Sequence, residues 1–199
     1  MSRTRDRDLL HRRRTLSAPA LTLASRSPQR RAILERLGIR FQTRPADVQE
    51  LTSGEPRTVA CSNALLKARA VRGETVLGVD TVVAVDGVVH GKPRDAAAAR
   101  ATLRELSGRT HTVVSGVAIV QGAAEPLLAS AVTRVSFREL DEAALDWYLA
   151  CGEWCGRAGG YAIQGRGLAL VASIEGDYSN VVGLPVATLL ALQPGLLYP

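Results

Sequence analysis

The stretch Thr75-Val76-Leu77-Gly78-Val79-Asp80-Thr81-Val82-Val83-Ala84-Val85-Asp86-Gly87-Val88-Val89-His90 decides the fold class. Its β-branched residues predict a strand over 75–85, Asp86-Gly87 is the pair that a two-residue hairpin turn demands, and 88–90 returns as a second strand. A strand repeats every two residues, so Asp80 shares a face with Val76, Gly78, Val82 and Ala84. Burying a lone carboxylate on such a face costs several kcal/mol, so something must compensate it. A divalent cation, a basic partner or a strand end opening into a cleft would each do so; an edge strand whose face meets water would remove the need.

Outward from this hairpin the pattern is mixed α/β. Upstream, residues 21–24 form a short apolar strand. Ser27-Pro28 supplies a helix cap and a first-turn proline, Ile33, Leu34 and Leu37 form the stripe of that helix, and Gly38 stops it. A strand over 39–43, a polar loop through Asp47 and Glu50, and a helix over 57–71 ending at Gly73 lead back to Thr75. Downstream, Asp95 caps an alanine-rich helix closed by Gly108, strands cover 111–120 and 131–137, Asp141 caps another helix, and a strand over 168–174 precedes a last helix from Pro185. Helices alternate with strands but hairpins interrupt them, which predicts a mixed sheet flanked by helices.

The chain has 199 residues with 46% hydrophobic and 22% charged, enough for a buried core without disulfides. No apolar run reaches membrane-spanning length, and Cys61, Cys151 and Cys155 are too few and too uneven for a disulfide scaffold, which points to a reducing compartment. Of the net charge of +6, residues 1–20 carry +4, through six arginines against Asp6 and Asp8. That segment reads as a basic disordered extension to a domain over 21–199; with no interleaved aromatics, a nucleic-acid partner is disfavoured.

Four places carry chemistry. Ser25-Arg26-Ser27-Pro28-Gln29-Arg30-Arg31 runs from a loop into a helix N-terminus, where amides, hydroxyls and guanidinium groups suit a phosphate or merely cap the helix. Asp80 is the second. Lys67, and Lys92 in Gly91-Lys92-Pro93, are the third, the hairpin folding Lys92 back toward the strand that bears Asp80. The fourth is the glycine-rich run 156–167, which allows close backbone approach to a flat ligand or forms a tight hairpin; it fits neither a Walker A loop nor a dinucleotide-binding fingerprint. The three histidines have no metal-ligand spacing, so a zinc site is not expected.

Six blocks occur in a characteristic order: Ser25-x-Ser27-Pro28-x-Arg30, Val79-Asp80-Thr81-Val82-Val83, Gly91-Lys92-Pro93, Leu106-Ser107-Gly108-Arg109-x-His111, Ala158-Gly159-x-Tyr161-x-Ile163-Gln164-Gly165 and Asn180-Val181-Val182-Gly183-Leu184-Pro185. In this the chain resembles the Maf-like nucleoside triphosphate pyrophosphatases, once called septum formation proteins, over about residues 21 to 193. The resemblance implies a cytoplasmic enzyme, frequently dimeric, with an elongated α/β fold similar to that of the inosine triphosphate pyrophosphatases and a cleft between two lobes. It implies hydrolysis between the α and β phosphorus atoms, giving a nucleoside monophosphate and pyrophosphate with Mg²⁺ or Mn²⁺. Asp80 would be general base and metal ligand, assisted by Glu50, while Ser25, Arg30, Lys67 and Lys92 cradle the phosphates.

For specificity, Thr81 and Gln164 match the branch that prefers dTTP and UTP, whereas Gln29 replaces that branch's arginine. The branch acting on 7-methyl-GTP is matched only in the spacing of Arg30-Arg31. Arg157 stands where the family usually has lysine after an acidic residue, and Gly156 removes that acid. The implied role is clearance of nucleotides that would otherwise enter nucleic acid, with a secondary link to arrested septation. A reading from another class is a nucleic-acid-binding regulator acting through the basic leader.

Overall fold

The computed structural model describes residues 21–197. The basic leader, and with it the expected extension over 1–20, lies outside them. In chain order the elements are β1 (Leu21–Leu23), α1 (Pro28–Arg36), β2 (Phe41–Thr43), α2 (Pro56–Arg69), β3 (Thr75–Val85), β4 (Val88–His90), α3 (Ala96–Leu106), β5 (Thr110–Gln121), β6 (Leu127–Phe137), α4 (Glu142–Ala150), β7 (Val171–Glu175), α5 (Tyr178–Val182) and α6 (Val186–Leu192). One seven-stranded sheet runs β2-β1-β3-β5-β6-β7, with β4 also on β3. β1 lies parallel to β2 and β3, and the remaining pairings are antiparallel. β3, β5 and β6 have 11, 12 and 11 residues, twice the usual strand length, which draws the sheet out.

Local chemistry sets most boundaries. The Ser27 hydroxyl accepts the Arg30 amide and Pro28 opens α1; Asp95 and Asp141 cap α3 and α4 in the same way. Asp86 and Gly87 both take positive φ, 49° and 79°, as the tight hairpin requires. α2 starts one residue earlier than its apolar pattern indicates, because the Glu55 carboxylate accepts the amides of Arg57 and Thr58. The strand expected over 168–174 is divided: residues 166–170 form a 3-10 turn, and β7 begins at Val171. The cause is Glu153, whose carboxylate captures the amides of Arg166 and Gly167 and holds the chain off the ladder. β6 begins four residues before the expected 131, paired throughout with β5, and α5 was not anticipated.

The sheet has two unlike faces. On one, α2 lies directly on β3 and β5 through Ala60, Ala64 and Ala68, one residue per turn. Contact is so close that a Cβ on Gly116 would collide with the Ala60 carbonyl, and one on Gly78 with the Ala64 carbonyl. On the other face, α1 and α6 cover Leu77, Val79, Val117 and Ile119, while α3 and α4 cover Val83, Val85, Val113 and Val135. Thr81 stands between these two clusters. Within the second, the buried His111 ring meets Phe137 and Tyr161 edge-on, its Nε2 2.8 Å from the Tyr161 hydroxyl.

Two outcomes follow from this packing. Gly116→Ala must lift α2, so its urea midpoint falls by the equivalent of about 1–3 kcal/mol, whereas Gly91→Ala, whose methyl meets nothing within 4 Å, changes stability by less than about 0.5 kcal/mol. Burial, and next the nearby His90, push His111 down to about 4 from its ordinary 6.5. Unfolding therefore binds a proton between these values. The stability present above pH 6.5 is lost as pH falls toward 4, by about 3 kcal/mol, and His111→Gln flattens that slope in urea titrations; a wild-type midpoint constant across the window would contradict it.

Candidate active site

The site is a gap in the sheet. β1 pairs with residues 75–77 of β3, and β4 pairs with residues 83–85 on the same edge. Gly78–Val82 therefore have no ladder partner on that edge among the described residues. Because β1 runs parallel to β3 and β4 antiparallel, the carboxyl ends of both point into the gap. The loop after β1 delivers Ser25 and the start of α1; the loop after β4 delivers Lys92. An expected distant pair of segments thus meets at one opening, and β3 is a central strand with Asp80 only 6% exposed, so the wet-edge alternative does not apply.

Compensation for Asp80 comes from α2. Asp80 Oδ1 accepts from Lys67 Nζ at 2.6 Å, and Oδ2 accepts from Asn63 Nδ2 at 3.0 Å. The same ammonium lies 2.8 Å from Glu50 Oε2. Asn63 is clamped onto the polar loop, its amide donating to the Leu51 carbonyl and its oxygen accepting the Leu51 amide, which fixes the neighbouring Glu50. Sequence reading missed Asn63, although it stands four residues before Lys67 and so shares its helix face.

On the opposite face of β3, Arg30 ties the loops together. Its Nε donates to the Gly183 carbonyl at 2.8 Å, Nη1 to Ser25 Oγ at 3.1 Å and Nη2 to Thr81 Oγ1 at 3.1 Å. Thr81 in turn shares a hydrogen bond with Ser115. Three of the five guanidinium donors are thus spent on protein, so Arg30 holds the cleft's shape as well as facing it. Burial lowers its pKa, opposed by the fields of Asp80 and Glu50.

Ser25, Arg30, Glu50, Lys67, Thr81 and Lys92 line a cavity of about 380 Å³, with Gln29 and Arg157 on the same wall. Asp80 is not on the wall; it lies beneath Lys67. Gln164 lines an adjoining cavity of about 260 Å³ with Tyr161 and Glu153, and Gln29 and Arg157 belong to both. The run 156–167 is no hairpin: it is a series of turns that brings Gly156 and Arg157 to the first cavity and Gln164 to the second.

A divalent cation fits the donor set. Asp80 and Glu50 already converge on one positive centre, the Lys67 ammonium, and Mg²⁺ is commonly held by one or two carboxylates with substrate phosphates completing its shell. Among the described residues no group of three or more His, Cys, Asp or Glu forms a self-sufficient metal cage.

A dTTP/UTP pyrophosphatase of Anaeromyxobacter dehalogenans is 48% identical over 88% of this chain and 93% of its own length. Proteins of the same name from Symbiobacterium thermophilum and Pyrococcus furiosus are 45% and 42% identical, over 90% and 86% of this chain and 95% and 93% of theirs. Among solved structures, a nucleoside-triphosphatase / dITP/XTP pyrophosphatase from Mycobacterium abscessus overlaps 60% of this chain and 74% of that one at 24% identity and TM-score 0.44. The profile described as Maf-like protein matches residues 20–193. By both the profile match and this identity across nearly its whole length, the chain belongs to the Maf-like protein family.

Proposed function

We propose that this chain is a nucleoside triphosphate pyrophosphatase that hydrolyses the α–β phosphoanhydride of dTTP and UTP, releasing a nucleoside monophosphate and pyrophosphate. The observation that carries this reading is one ammonium held between two carboxylates at the floor of a cavity with further cations on its walls. The names borne by relatives at 42–48% identity support the substrate.

A triphosphate brings about four negative charges, and the protein must neutralise them while placing a water in line with the scissile bond. Lys67 and Lys92 act as point charges on the phosphates, and Ser25 with the backbone at the start of α1 offers hydrogen-bond donors. Arg30 keeps Ser25, Thr81 and Gly183 in place around them. Asp80, hydrogen-bonded by Lys67 and Asn63, takes the role of general base in this reading, accepting the proton of the attacking water as the new P–O bond forms and the bridging P–O bond breaks. Asp80 and Glu50 would hold the Mg²⁺ or Mn²⁺, which when bound supplies charge neutralisation and activation of water. Gln29 and Gln164 offer paired donors and acceptors to the base in the second cavity.

In this reading the enzyme works in the cytoplasm, where its substrates are made, and clears nucleotides before they enter nucleic acid. No helix among the described residues is long and apolar enough to cross a membrane. A homodimer belongs to the same proposal, with the exposed Leu127, Leu128 and Val132 of β6 as apolar surface available to it.

Pyrophosphate release from a panel of dTTP, UTP, CTP, ITP and 7-methyl-GTP, with and without Mg²⁺, is the test. Wild type is expected to favour dTTP and UTP and to stop on chelation, and Asp80→Asn to lose at least about 100-fold in kcat while keeping its circular dichroism spectrum. Absence of metal-dependent turnover on every triphosphate, or release of orthophosphate in place of pyrophosphate, would overturn the proposal.

A further inference from the structure

Four cationic side chains besides Arg26 line the first cavity, and their engagements differ. Lys67 is neutralised by Asp80 and Glu50, and Arg30 is spent on Gly183, Ser25 and Thr81. Lys92 is exposed and lines the first cavity alone. Arg157 is unlike the others: its Nε is buried yet has no hydrogen-bond partner among the described residues, and its guanidinium makes no ion pair among them. A donor withdrawn from water and left unmatched is unfavourable, and an acceptor that arrives with a ligand removes the penalty.

Position says which acceptor. Arg157 belongs to both cavities, at the junction between the cation-lined space and the space bearing Gln164. Given the pyrophosphatase reading, on which this inference rests, the base lies among the amides and the outer phosphates among the lysines. The α-phosphate is then the anionic group at the junction. A guanidinium is always charged and presents a planar fork suited to phosphate oxygens.

We propose that Arg157 binds the α-phosphate, the group that stays with the nucleoside after cleavage. Arg157 then sets affinity for the monophosphate product and has no part in holding pyrophosphate. Lys92, which lines the first cavity but not the second, does the reverse.

Calorimetric titration of the full-length protein in magnesium buffer with dTMP, thymidine and inorganic pyrophosphate separates these roles. Arg157→Ala is expected to weaken dTMP about tenfold or more, to leave thymidine and pyrophosphate unchanged and, since the side chain makes no hydrogen bond to the described residues, to melt with wild type. Arg157→Lys restores part of the loss, and Lys92→Ala weakens pyrophosphate alone. Unchanged dTMP binding by Arg157→Ala, an equal loss for thymidine, or a loss for pyrophosphate would overturn the assignment while leaving the pyrophosphatase reading intact. Wild type that binds neither dTMP nor pyrophosphate would overturn both.

Discussion

A carboxylate beneath the floor of a cleft and an ammonium on that floor, 2.6 Å apart, constrain everything around them. Asp80 is 6% exposed and Lys67 8%, so each charge needs compensation there, and removing one partner of such a pair typically costs about 3–5 kcal/mol. The pair can form only if α2 comes down onto the sheet. Glycine at 78 and 116 beneath a stripe of alanines permits that approach, and the same approach places Asn63 on the second carboxylate oxygen. Glu50, held through Asn63 and Leu51, adds a second negative charge on the outer side of the ammonium. The floor is thus poised between anionic and cationic: two acids able to hold a cation, bridged by a base able to hold a phosphate.

Access depends on a different feature, the unpaired stretch of β3 between β1 and β4. Both short strands end at this gap, and both following loops carry polar side chains into it. Without the gap Asp80 would be an interior charge with no route to a ligand. With it, Thr81 lines the opening from one face of the strand, and Asp80 on the other face lies beneath Lys67, which lines it too. Arg30 closes the arrangement from the far side by joining the loop after β1 to β3 and to Gly183, 153 residues away in the chain.

Much of this was legible in the sequence because it is local. Strand periodicity identified Asp80 as a charge in need of compensation, Asp86-Gly87 marked the hairpin, and Ser27, Asp95 and Asp141 announced their helices. The identity of the compensating partner was not legible, since it depends on which helix lies over which strand. Asn63 was within reach, four residues before Lys67, but nothing local distinguishes it from a surface amide. The engagement of Arg30 by Gly183 and the capture of the Arg166 and Gly167 amides by Glu153 are meetings of loops with no periodic signal, and the second of these turned half of an expected strand into a turn.

A double-mutant cycle on the buried pair tests the central claim most directly. Urea unfolding of Lys67→Met, Asp80→Asn and the double variant is predicted to be strongly non-additive: Lys67→Met alone loses about 3 kcal/mol or more, and adding Asp80→Asn recovers a large part of it, because the stranded carboxylate charge is gone. Additive losses, with a coupling below about 0.5 kcal/mol, would mean that the two groups do not depend on one another and would contradict the view of the site as built on their pairing.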